Sequence, residues 1–300
     1  MLCSLCPRFC RSLRTPLAGE GFCRAGTLPL VARAAVHWWE EPCISGTRGS
    51  GTIFFGGCSL GCVFCQNRQI STGPEGVPMT PEELSELFRR VEALGVHNVN
   101  LVTPTHFAPA IRRALLLYKP GIPVVWNSSG YERPEVLRSL KGLVDVFLPD
   151  FKYGTEETGR ALADAPDYFP RALEAIRTMC ELTGPPVYNE EGLLQRGTLV
   201  RHLVLPLRTG ESITILDTIA TQLPPGTPVS LMRQYTPMGE TGIPGLDRRL
   251  TPREYRRVFE HMLELNLPGY CQEKEAATAA FTPVFLDEES TRLFPTKLDG

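Results

Sequence analysis

The sequence predicts an α/β fold, a partial (β/α)6 barrel of parallel strands that follows a Cys-rich N-terminal extension. From about residue 50 onward, short apolar runs alternate with longer segments of helical periodicity, and polar residues repeatedly follow the apolar runs. Alternating strands and helices form parallel sheets covered by helices, and chemistry gathers at the carboxyl ends of such strands. We expect the extension at residues 1–48, the barrel at 49–265 and a C-terminal tail at 266–300.

Six strands are expected, at Thr52–Gly57, Asn98–Val102, Ile122–Trp126, Val144–Pro149, Leu199–Leu205 and Val229–Met232. Helices are expected at 80–94, 107–118, 133–140, 166–182 and 211–222, and a further helix begins at Thr251. Thr80 and Thr251 each precede a proline and are followed three residues later by glutamate, which predicts a capping box at both helix starts. Residues 153–164 and the chain after Gly269 are expected to be loops.

Composition narrows the classes of function. Lys plus Arg number 31 and Asp plus Glu number 33, so the formal net charge of −2 gives no broad attraction to nucleic acid or to an anionic membrane. No targeting segment or membrane span is evident, and we expect a cytoplasmic chain with reduced thiols. Eight of the ten cysteines fall within the first 65 residues. Such clustered thiols are more typical of metal ligands or redox groups than of disulfides.

Three cysteines, Cys58, Cys62 and Cys65, have the spacing C-x3-C-x2-C in the glycine-bordered segment GGCSLGCVFCQN. Thiolates hold iron–sulfur clusters, normally four for each [4Fe–4S] cube, so three ligands leave one iron open for reaction. The alternative is a zinc site of three cysteines completed by a histidine elsewhere.

This segment resembles the signature of the radical S-adenosylmethionine (SAM) superfamily, including the aromatic Phe64 before the third cysteine. The strings EEPCISGTRGSGTIFFGGCSLGCVFCQN, VTPTHF, NSSGYE, LPDFKY, RHLVLP and MRQYTP resemble one subgroup, the pyruvate formate-lyase activating enzyme-related proteins. The resemblance extends from Cys3 to about Arg257. It implies that Cys58, Cys62 and Cys65 ligate a [4Fe–4S] cluster whose fourth iron binds SAM. One electron would then cleave SAM to methionine and a 5′-deoxyadenosyl radical that abstracts hydrogen from a substrate.

The resemblance also implies a set of SAM-binding residues at the strand ends. Phe64 would lie near the adenine, and Arg201 matches an arginine near the methionine group. The family's Gly-Gly-Glu segment is here Thr103-Pro104-Thr105-His106, so hydroxyls, carbonyls or His106 would receive the SAM amino group. The family's Asp-x-Lys motif is kept as Asp150 and Lys152, whereas its Asp-Thr is replaced by Asn127 and Ser128, and Tyr235 follows the sixth strand. Tyr235 could equally serve in packing, and Ser128 could simply build a turn.

A second cysteine set, Cys3, Cys6, Cys10 and Cys23, lies within the first 23 residues. Four thiolates can enclose a tetrahedral zinc or an auxiliary iron–sulfur cluster, and the spacing does not decide between these two. We expect a structural metal site that fixes the extension against the barrel. Four independent thiols are the alternative.

The leading functional hypothesis is a radical SAM enzyme that activates a glycyl radical enzyme or modifies a related protein or peptide. The resemblance implies a flavodoxin or ferredoxin as electron donor. Two alternatives are a radical SAM enzyme for a small metabolite or RNA, and a non-catalytic iron–sulfur or zinc protein that binds a partner. RNA is disfavoured by the acidic balance of charge.

Overall fold

The computed structural model describes residues 2–73, 75–239, 241–272 and 283–295. The strands are β1 (Leu30–His37), β2 (Ser50–Phe55), β3 (Val77–Pro78), β4 (Val99–Val102), β5 (Val124–Ser128), β6 (Val146–Pro149), β7 (Val187–Tyr188), β8 (Leu194–Thr198), β9 (Val200–Leu203), β10 (Val229–Met232) and β11 (Gly269–Cys271). The helices are α1 (Pro42–Ser45), α2 (Arg68–Ser71), α3 (Pro81–Glu92), α4 (Ala108–Leu117), α5 (Pro134–Arg138), α6 (Glu156–Ala163), α7 (Tyr168–Thr183), α8 (Thr209–Gln222), α9 (Pro252–Glu264) and α10 (Glu288–Thr291).

The larger sheet has eight strands in the order β3-β1-β2-β4-β5-β6-β8-β7. Its centre, from β2 to β8, is parallel, while β1 and β3 extend one edge and β7 the other edge in antiparallel pairing. Every residue of β2, β4, β5 and β6 is buried. Strands buried on both faces have continuous apolar sequences, which explains why these four were recognisable.

The chain changes sheets between β8 and β9. Gly197 and Thr198 of β8 pair with β6, whereas β9 pairs with β10 in a second, parallel sheet of order β11-β10-β9. Across this seam, Asp150 and Arg201 form an isolated bridge, and the Phe151 N–H donates to the Arg201 carbonyl at 2.7 Å. The described strands therefore form an open, curved arrangement in which no closed barrel is present.

The predicted fold class is confirmed: the six expected strands correspond to β2, β4, β5, β6, β9 and β10, and the expected helices to α3, α4, α5, α7, α8 and α9. Both capping boxes are present. Thr80 accepts from the Glu83 N–H at 3.2 Å while Glu83 accepts from the Thr80 N–H at 2.7 Å, and Thr251 and Glu254 do the same at α9.

Two expectations of loop structure are wrong. Residues 153–164 contain α6, whose Thr155 hydroxyl caps the helix by accepting from the Thr158 N–H. The chain after Gly269 contains β11, which pairs with β10, and α10, capped by Asp287. Both helices are short and weakly apolar, so periodicity does not reveal them.

Some of the first 48 residues belong to the larger sheet. β1 was not predicted, and it pairs with β2 from Val31 to His37. The proposed boundaries near residues 48 and 265 remain predictions. Within the described ranges, no helix has both the length and the apolar character needed to cross a bilayer.

Candidate functional site

A cleft of about 220 Å³ opens at the carboxyl ends of the parallel strands, where the two sheets meet. Its lining includes residues that follow β2, β6 and β10, together with residues of β5 and β9 and of the segment after β1. Loops at this edge converge because parallel strands all end there. The lining residues used below are Glu40, Cys62, Phe64, Cys65, Asn127, Asp150, Lys152, Arg201 and Tyr235.

The three cysteines of the sequence motif lie in the loop between β2 and α2. Cys62 and Cys65 line the cleft, and Cys58 packs beside them. The Cys58 sulfur accepts from the Leu60 N–H at 3.4 Å, and the Cys65 sulfur accepts from the Ser71 hydroxyl at 3.4 Å. Burial raises the pKa of the Cys58 thiol and raises that of Cys62 to about 12, while the Lys152 ammonium opposes both shifts. Lys152 is thus placed to compensate negative charge on these sulfurs.

Aromatic rings form the wall next to the cysteine loop. The Phe64 ring makes edge contacts with Tyr153 and Tyr235, at centroid distances of 6.4 and 5.9 Å. The Tyr235 hydroxyl donates to the Leu246 carbonyl at 2.7 Å, and Tyr235 also lines the cleft. The buried Tyr153 hydroxyl lies beside the Cys62 sulfur and has no other hydrogen-bond partner among the described residues.

Arg201 is the centre of a buried ionic network at the floor of the cleft. Its guanidinium donates to Asp150 Oδ1 at 2.9 Å, to Glu40 Oε2 at 3.0 Å and to Asn127 Oδ1 at 2.6 Å. Lys152 Nζ donates to Asp150 Oδ2 at 2.6 Å. Buried charges are tolerated when they are paired and hydrogen-bonded in this way. Among the described residues, these bonds use three of the five guanidinium N–H groups and one of the three ammonium protons.

The carboxylates of this network differ in their titration. Burial alone would raise the pKa of Asp150, but the Arg201 guanidinium and the Lys152 ammonium lower it below its ordinary value. Burial raises the pKa of Glu40, and the Arg201 charge only partly offsets this effect. The network therefore contains a firmly ionised aspartate and a glutamate that is easier to protonate.

Four predicted SAM-binding residues lie outside the lining of the cleft within the described residues: Thr103, Thr105, His106 and Ser128. Glu132 accepts from the hydroxyls of Thr105 and Ser128 at 2.8 and 2.7 Å. His106 Nε2 donates to the Gly56 carbonyl at 2.8 Å, since a carbonyl can only accept. The hydroxyls of Thr105 and Ser128 and the Nε2 of His106 are thus engaged in structural bonds, whereas the buried His106 Nδ1 has no hydrogen-bond partner among the described residues. Thr103 adopts φ 60°, an uncommon conformation for a β-branched residue.

Sequence reasoning missed two carboxylates, Glu40 and Glu132. Glu40 binds Arg201 and also accepts from the amides of Asn100 and Asn127, both at 3.2 Å. It lies after an antiparallel strand, so a search at the ends of parallel strands does not reach it. Glu132 is 1% exposed and accepts three hydrogen bonds, including one from the Trp126 indole at 2.8 Å. The strings EEPC and NSSGYE contained both residues.

The amino-terminal cysteines lie in a loop segment that packs against the cysteine loop. Cys6 is buried, Cys3 and Cys23 are partly exposed and Cys10 is exposed, and all four are free thiols. In the part of the chain that the structure describes, no three Cys, His, Asp or Glu side chains are close enough to hold a bare metal ion. This holds for the amino-terminal set and for Cys58, Cys62 and Cys65 alike.

The cleft residues fit the group that the cysteine motif implies. A four-iron cube places its thiolate ligands farther apart than a single ion does, so the spread of Cys58, Cys62 and Cys65 is compatible with a [4Fe–4S] cluster. The otherwise unpartnered Tyr153 hydroxyl can donate to a Cys62 thiolate, and Lys152 supplies a compensating charge. The cleft offers an apolar surface at Phe64 and Tyr235 and a charged surface at the Arg201 network. A cofactor with one apolar part and one charged part would match both surfaces.

Comparisons with known proteins identify relatives in sequence and in fold. The chain matches the Radical SAM superfamily over residues 52–200. It is 33% identical over 276 residues to the uncharacterized protein MJ0674 of Methanocaldococcus jannaschii. This alignment covers 88% of this chain and 75% of that protein.

Three solved structures are similar at 13–14% identity, which establishes a shared fold. Streptococcus suis SuiB bound to S-adenosylmethionine has a TM-score of 0.52 over 74% of this chain, and SuiB bound to precursor peptide SuiA has 0.50 over 75%. A radical SAM methyltransferase from Sphaerobacter thermophilus has 0.51 over 74%. The chain spans 50% and 48% of the two SuiB chains and 66% of the methyltransferase chain.

Proposed function

The chain belongs to the radical SAM superfamily, and from this premise we propose that it abstracts hydrogen from a protein or peptide, as an activase-like enzyme of the pyruvate formate-lyase activating enzyme-related subgroup. The observation that carries the proposal is that Cys62 and Cys65 share one cleft with Asp150, Lys152 and Arg201. When bound, a [4Fe–4S] cluster and SAM would supply a 5′-deoxyadenosyl radical by reductive cleavage of the sulfonium. The protein's own task is to bind, orient and exclude water.

Cys58, Cys62 and Cys65 would hold the cluster. Their loop is anchored at both ends, by the Leu60 N–H on Cys58 and by the Ser71 hydroxyl on Cys65. Lys152 faces Cys58 and Cys62 and offsets the negative charge of their thiolates. A flavodoxin or ferredoxin is the electron donor that fits the proposal.

SAM would be bound between the aromatic wall and the ionic network. Phe64 and Tyr235 offer ring surfaces for the adenine, and the remaining N–H groups of Arg201 can receive the methionine carboxylate. Thr105 and His106 do not line the cleft, so among the acceptors that do line it we assign Glu40 and Asn127 to the SAM amino group. Glu40 would thus take the role of the glutamate in the family's Gly-Gly-Glu segment.

The binding role of Glu40 is tested with Glu40→Gln, which keeps the size of the side chain and removes its charge. We expect the Kd for SAM to rise about tenfold or more, because a charged acceptor is worth about 1.5–3 kcal/mol. Isothermal titration of the anaerobic protein measures this effect. Glu190→Gln, at an exposed position far along the chain, is the control. An unchanged Kd in Glu40→Gln would remove Glu40 from the site.

The function is tested by the products of SAM cleavage. Anaerobically reconstituted protein with dithionite and SAM should yield 5′-deoxyadenosine, and Cys62→Ala should yield none above background. Cys271→Ala, which replaces an exposed cysteine outside both sets, should behave as the unaltered protein. An intact cluster without 5′-deoxyadenosine would instead favour a binding protein.

A protein or peptide substrate is supported by the similarity in fold to SuiB, whose structure was solved with a precursor peptide. Candidate proteins and peptides labelled with deuterium at the Cα should transfer deuterium to 5′-deoxyadenosine. Transfer from a glycyl radical enzyme would support activation. Transfer solely from small metabolites would overturn the choice of a peptide substrate and leave SAM cleavage intact.

A further inference from the structure

The amino-terminal module, residues 2–29, has almost none of the features that usually stabilise a folded segment. Its regular structure is limited to the isolated bridges Arg14–Gly19 and Ala18–Ala25, apart from the contacts it makes with the rest of the chain. Its large apolar side chains are mostly exposed: Leu2, Phe9, Leu13, Leu17 and Phe22. A segment of this size with so little core of its own depends on its contacts with the rest of the chain or on a cross-link such as a disulfide or a metal. Its cysteines form no disulfide.

The four cysteines of the module are gathered at one place. The Cys6 sulfur is within electrostatic range of Cys3, Cys10 and Cys23, and Cys3 and Cys10 are within hydrogen-bonding range of each other. Gly21 makes room for them, because a Cβ there would lie 2.7 Å from the Cys10 sulfur.

The backbone around these sulfurs has a repeated geometry. The backbone groups at Arg8, Ser12 and Ala25, each two residues after a cysteine, lie near the sulfurs of Cys6, Cys10 and Cys23. Amide donors stabilise a thiolate, which is the form that binds metals. The same offset occurs in the cluster loop, where the Leu60 N–H donates to Cys58.

A compensating cation is also present. Arg14 Nη1 lies 3.9 Å from the Cys3 sulfur, and the Arg14 charge acts on Cys23 as well. Four thiolates around Zn²⁺ or a [4Fe–4S]²⁺ cube carry a net charge of about −2. The Arg14 guanidinium is held in this position by the carbonyls of Ala25 and Gly26, and its charge there would be favourable beside such a centre.

We propose that Cys3, Cys6, Cys10 and Cys23 are the ligands of a second metal centre, a tetrathiolate site for zinc or for an iron–sulfur cluster. Metal uptake would release the four thiol protons to the solvent and leave the sulfurs as thiolates. The described structure does not bring three of these side chains close enough for a bare ion, so zinc would need side-chain rotations that bring the sulfurs together. The thiolate ligands of a cluster lie farther apart than those of a single ion, so a cluster would need less closure.

The centre would hold the loop that carries Cys58, Cys62 and Cys65, and this part of the proposal rests on the proposed function. The Arg8 guanidinium donates to the carbonyls of Ser59 and Leu60 in that loop, at 3.0 and 2.9 Å, and to the Ala163 carbonyl at 2.6 Å. The Phe22 ring would lie 2.8 Å from a Cβ at Gly61, whose φ is 71°. The module is therefore in direct contact with the proposed catalytic loop.

The metal site is tested on the full chain with Cys58, Cys62 and Cys65 all replaced by alanine, a variant in which the module is unaltered. After incubation with Zn²⁺, or anaerobically with iron and sulfide, elemental analysis should find about one zinc or about four irons per chain. Adding Cys6→Ser and Cys23→Ser should abolish this metal, while adding Cys180→Ser and Cys271→Ser should leave it. The metal that is found, zinc or iron, identifies which kind of centre the four cysteines form. Absence of stoichiometric metal in both incubations, or recovery of the four thiols as disulfides, overturns the proposal.

The effect on the catalytic loop is tested with Arg8→Ala, which leaves all cysteines in place. A chelator should remove the cluster from Arg8→Ala severalfold faster than it does from the unaltered protein. The loss is measured by the electron paramagnetic resonance signal that responds to SAM. Arg24→Ala, at an exposed position in the same module, is the control. An unchanged rate of loss in Arg8→Ala would overturn the positioning role, and the metal analysis above would still decide the site.

Discussion

At the scale of single residues, Arg201 links the groups that line the floor of the cleft. Its guanidinium contacts Asp150, Glu40 and Asn127, which come from three separate segments of the chain. Arg201 and Asp150 could be predicted because each follows or lies on a predicted strand within a recognisable motif. Glu40 could not, since its role depends on how β1 packs beside the parallel strands and no local pattern encodes that.

Replacing Arg201 by methionine should lower the free energy of unfolding by about 3–5 kcal/mol, because Glu40 would remain buried without a counter-charge and Asp150 would keep only Lys152. Anaerobic urea denaturation measures the loss. Arg160→Met is a matched control, since the Arg160–Glu156 pair is exposed and worth less than about 1 kcal/mol. Equal losses in the two variants would contradict a buried network.

His202 should make the stability of the fold depend on pH. Its Nδ1–H donates to the Phe151 carbonyl at 2.7 Å, and its Nε2 accepts from the Ser212 hydroxyl at 2.8 Å, so the ring is held neutral. Burial lowers the pKa of His202 from 6.5 to about 4. Between these values the unfolded chain binds a proton that the folded chain does not, so stability falls as the pH falls through this window.

In urea denaturation, the free energy of unfolding of His202→Asn should therefore fall less between pH 6.5 and 4 than that of the unaltered protein. The difference between the two losses should be on the order of 2 kcal/mol. The slope should not vanish, because burial lowers the pKa of His106 to about 4 as well. An identical slope in the variant and the unaltered protein would show that His202 is not held neutral.

At the scale of secondary-structure elements, the sequence was informative wherever burial or capping left a pattern. The parallel strands are continuous apolar runs, and α3 and α9 begin with complete capping boxes. Helix α6 left no such pattern, since it has eight residues and contains Gly159. That glycine is required because a Cβ would lie 2.4 Å from the Ala165 carbonyl oxygen, a contact that exists only in the folded chain.

The capping box of α9 should contribute measurably to stability. Thr251→Ala removes the acceptor for the Glu254 N–H and should lower the free energy of unfolding by about 1 kcal/mol. Thr221→Ala is the control, because that hydroxyl is exposed and donates back to the Asp217 carbonyl within α8. Urea denaturation compares the two, and a loss in Thr251→Ala no larger than in the control would contradict the role of the cap.

At the scale of the whole molecule, the sequence predicted the class of fold but not the division of its strands. β8 and β9 are separated by one residue, yet they belong to different sheets. The strand pattern cannot reveal such a change of partner because it depends on pairing between distant segments. The C-terminal segment was likewise unpredictable, since its docking onto β1 uses Arg33, which donates to the Val284 carbonyl and the Ser290 hydroxyl, both at 2.9 Å.

Docking of the C-terminal segment should depend on Phe285, which is buried and makes an edge contact with Phe54 at 5.3 Å. Phe285→Ala should release residues 283–295 locally and speed amide hydrogen exchange there and in β1. Leu286→Ala, at a position 38% exposed, is the matched control. Exchange in Phe285→Ala no faster than in this control would show that the aromatic contact does not hold the segment.

The position of Arg8 has a consequence for biosynthesis. The carbonyls that it contacts belong to residues 59, 60, 163 and 164, so the acceptors are 51 to 156 residues downstream of the donor. Ala163 and Asp164 are translated 155 and 156 residues after Arg8. The docking surface for Arg8 is therefore complete only after these residues have been added.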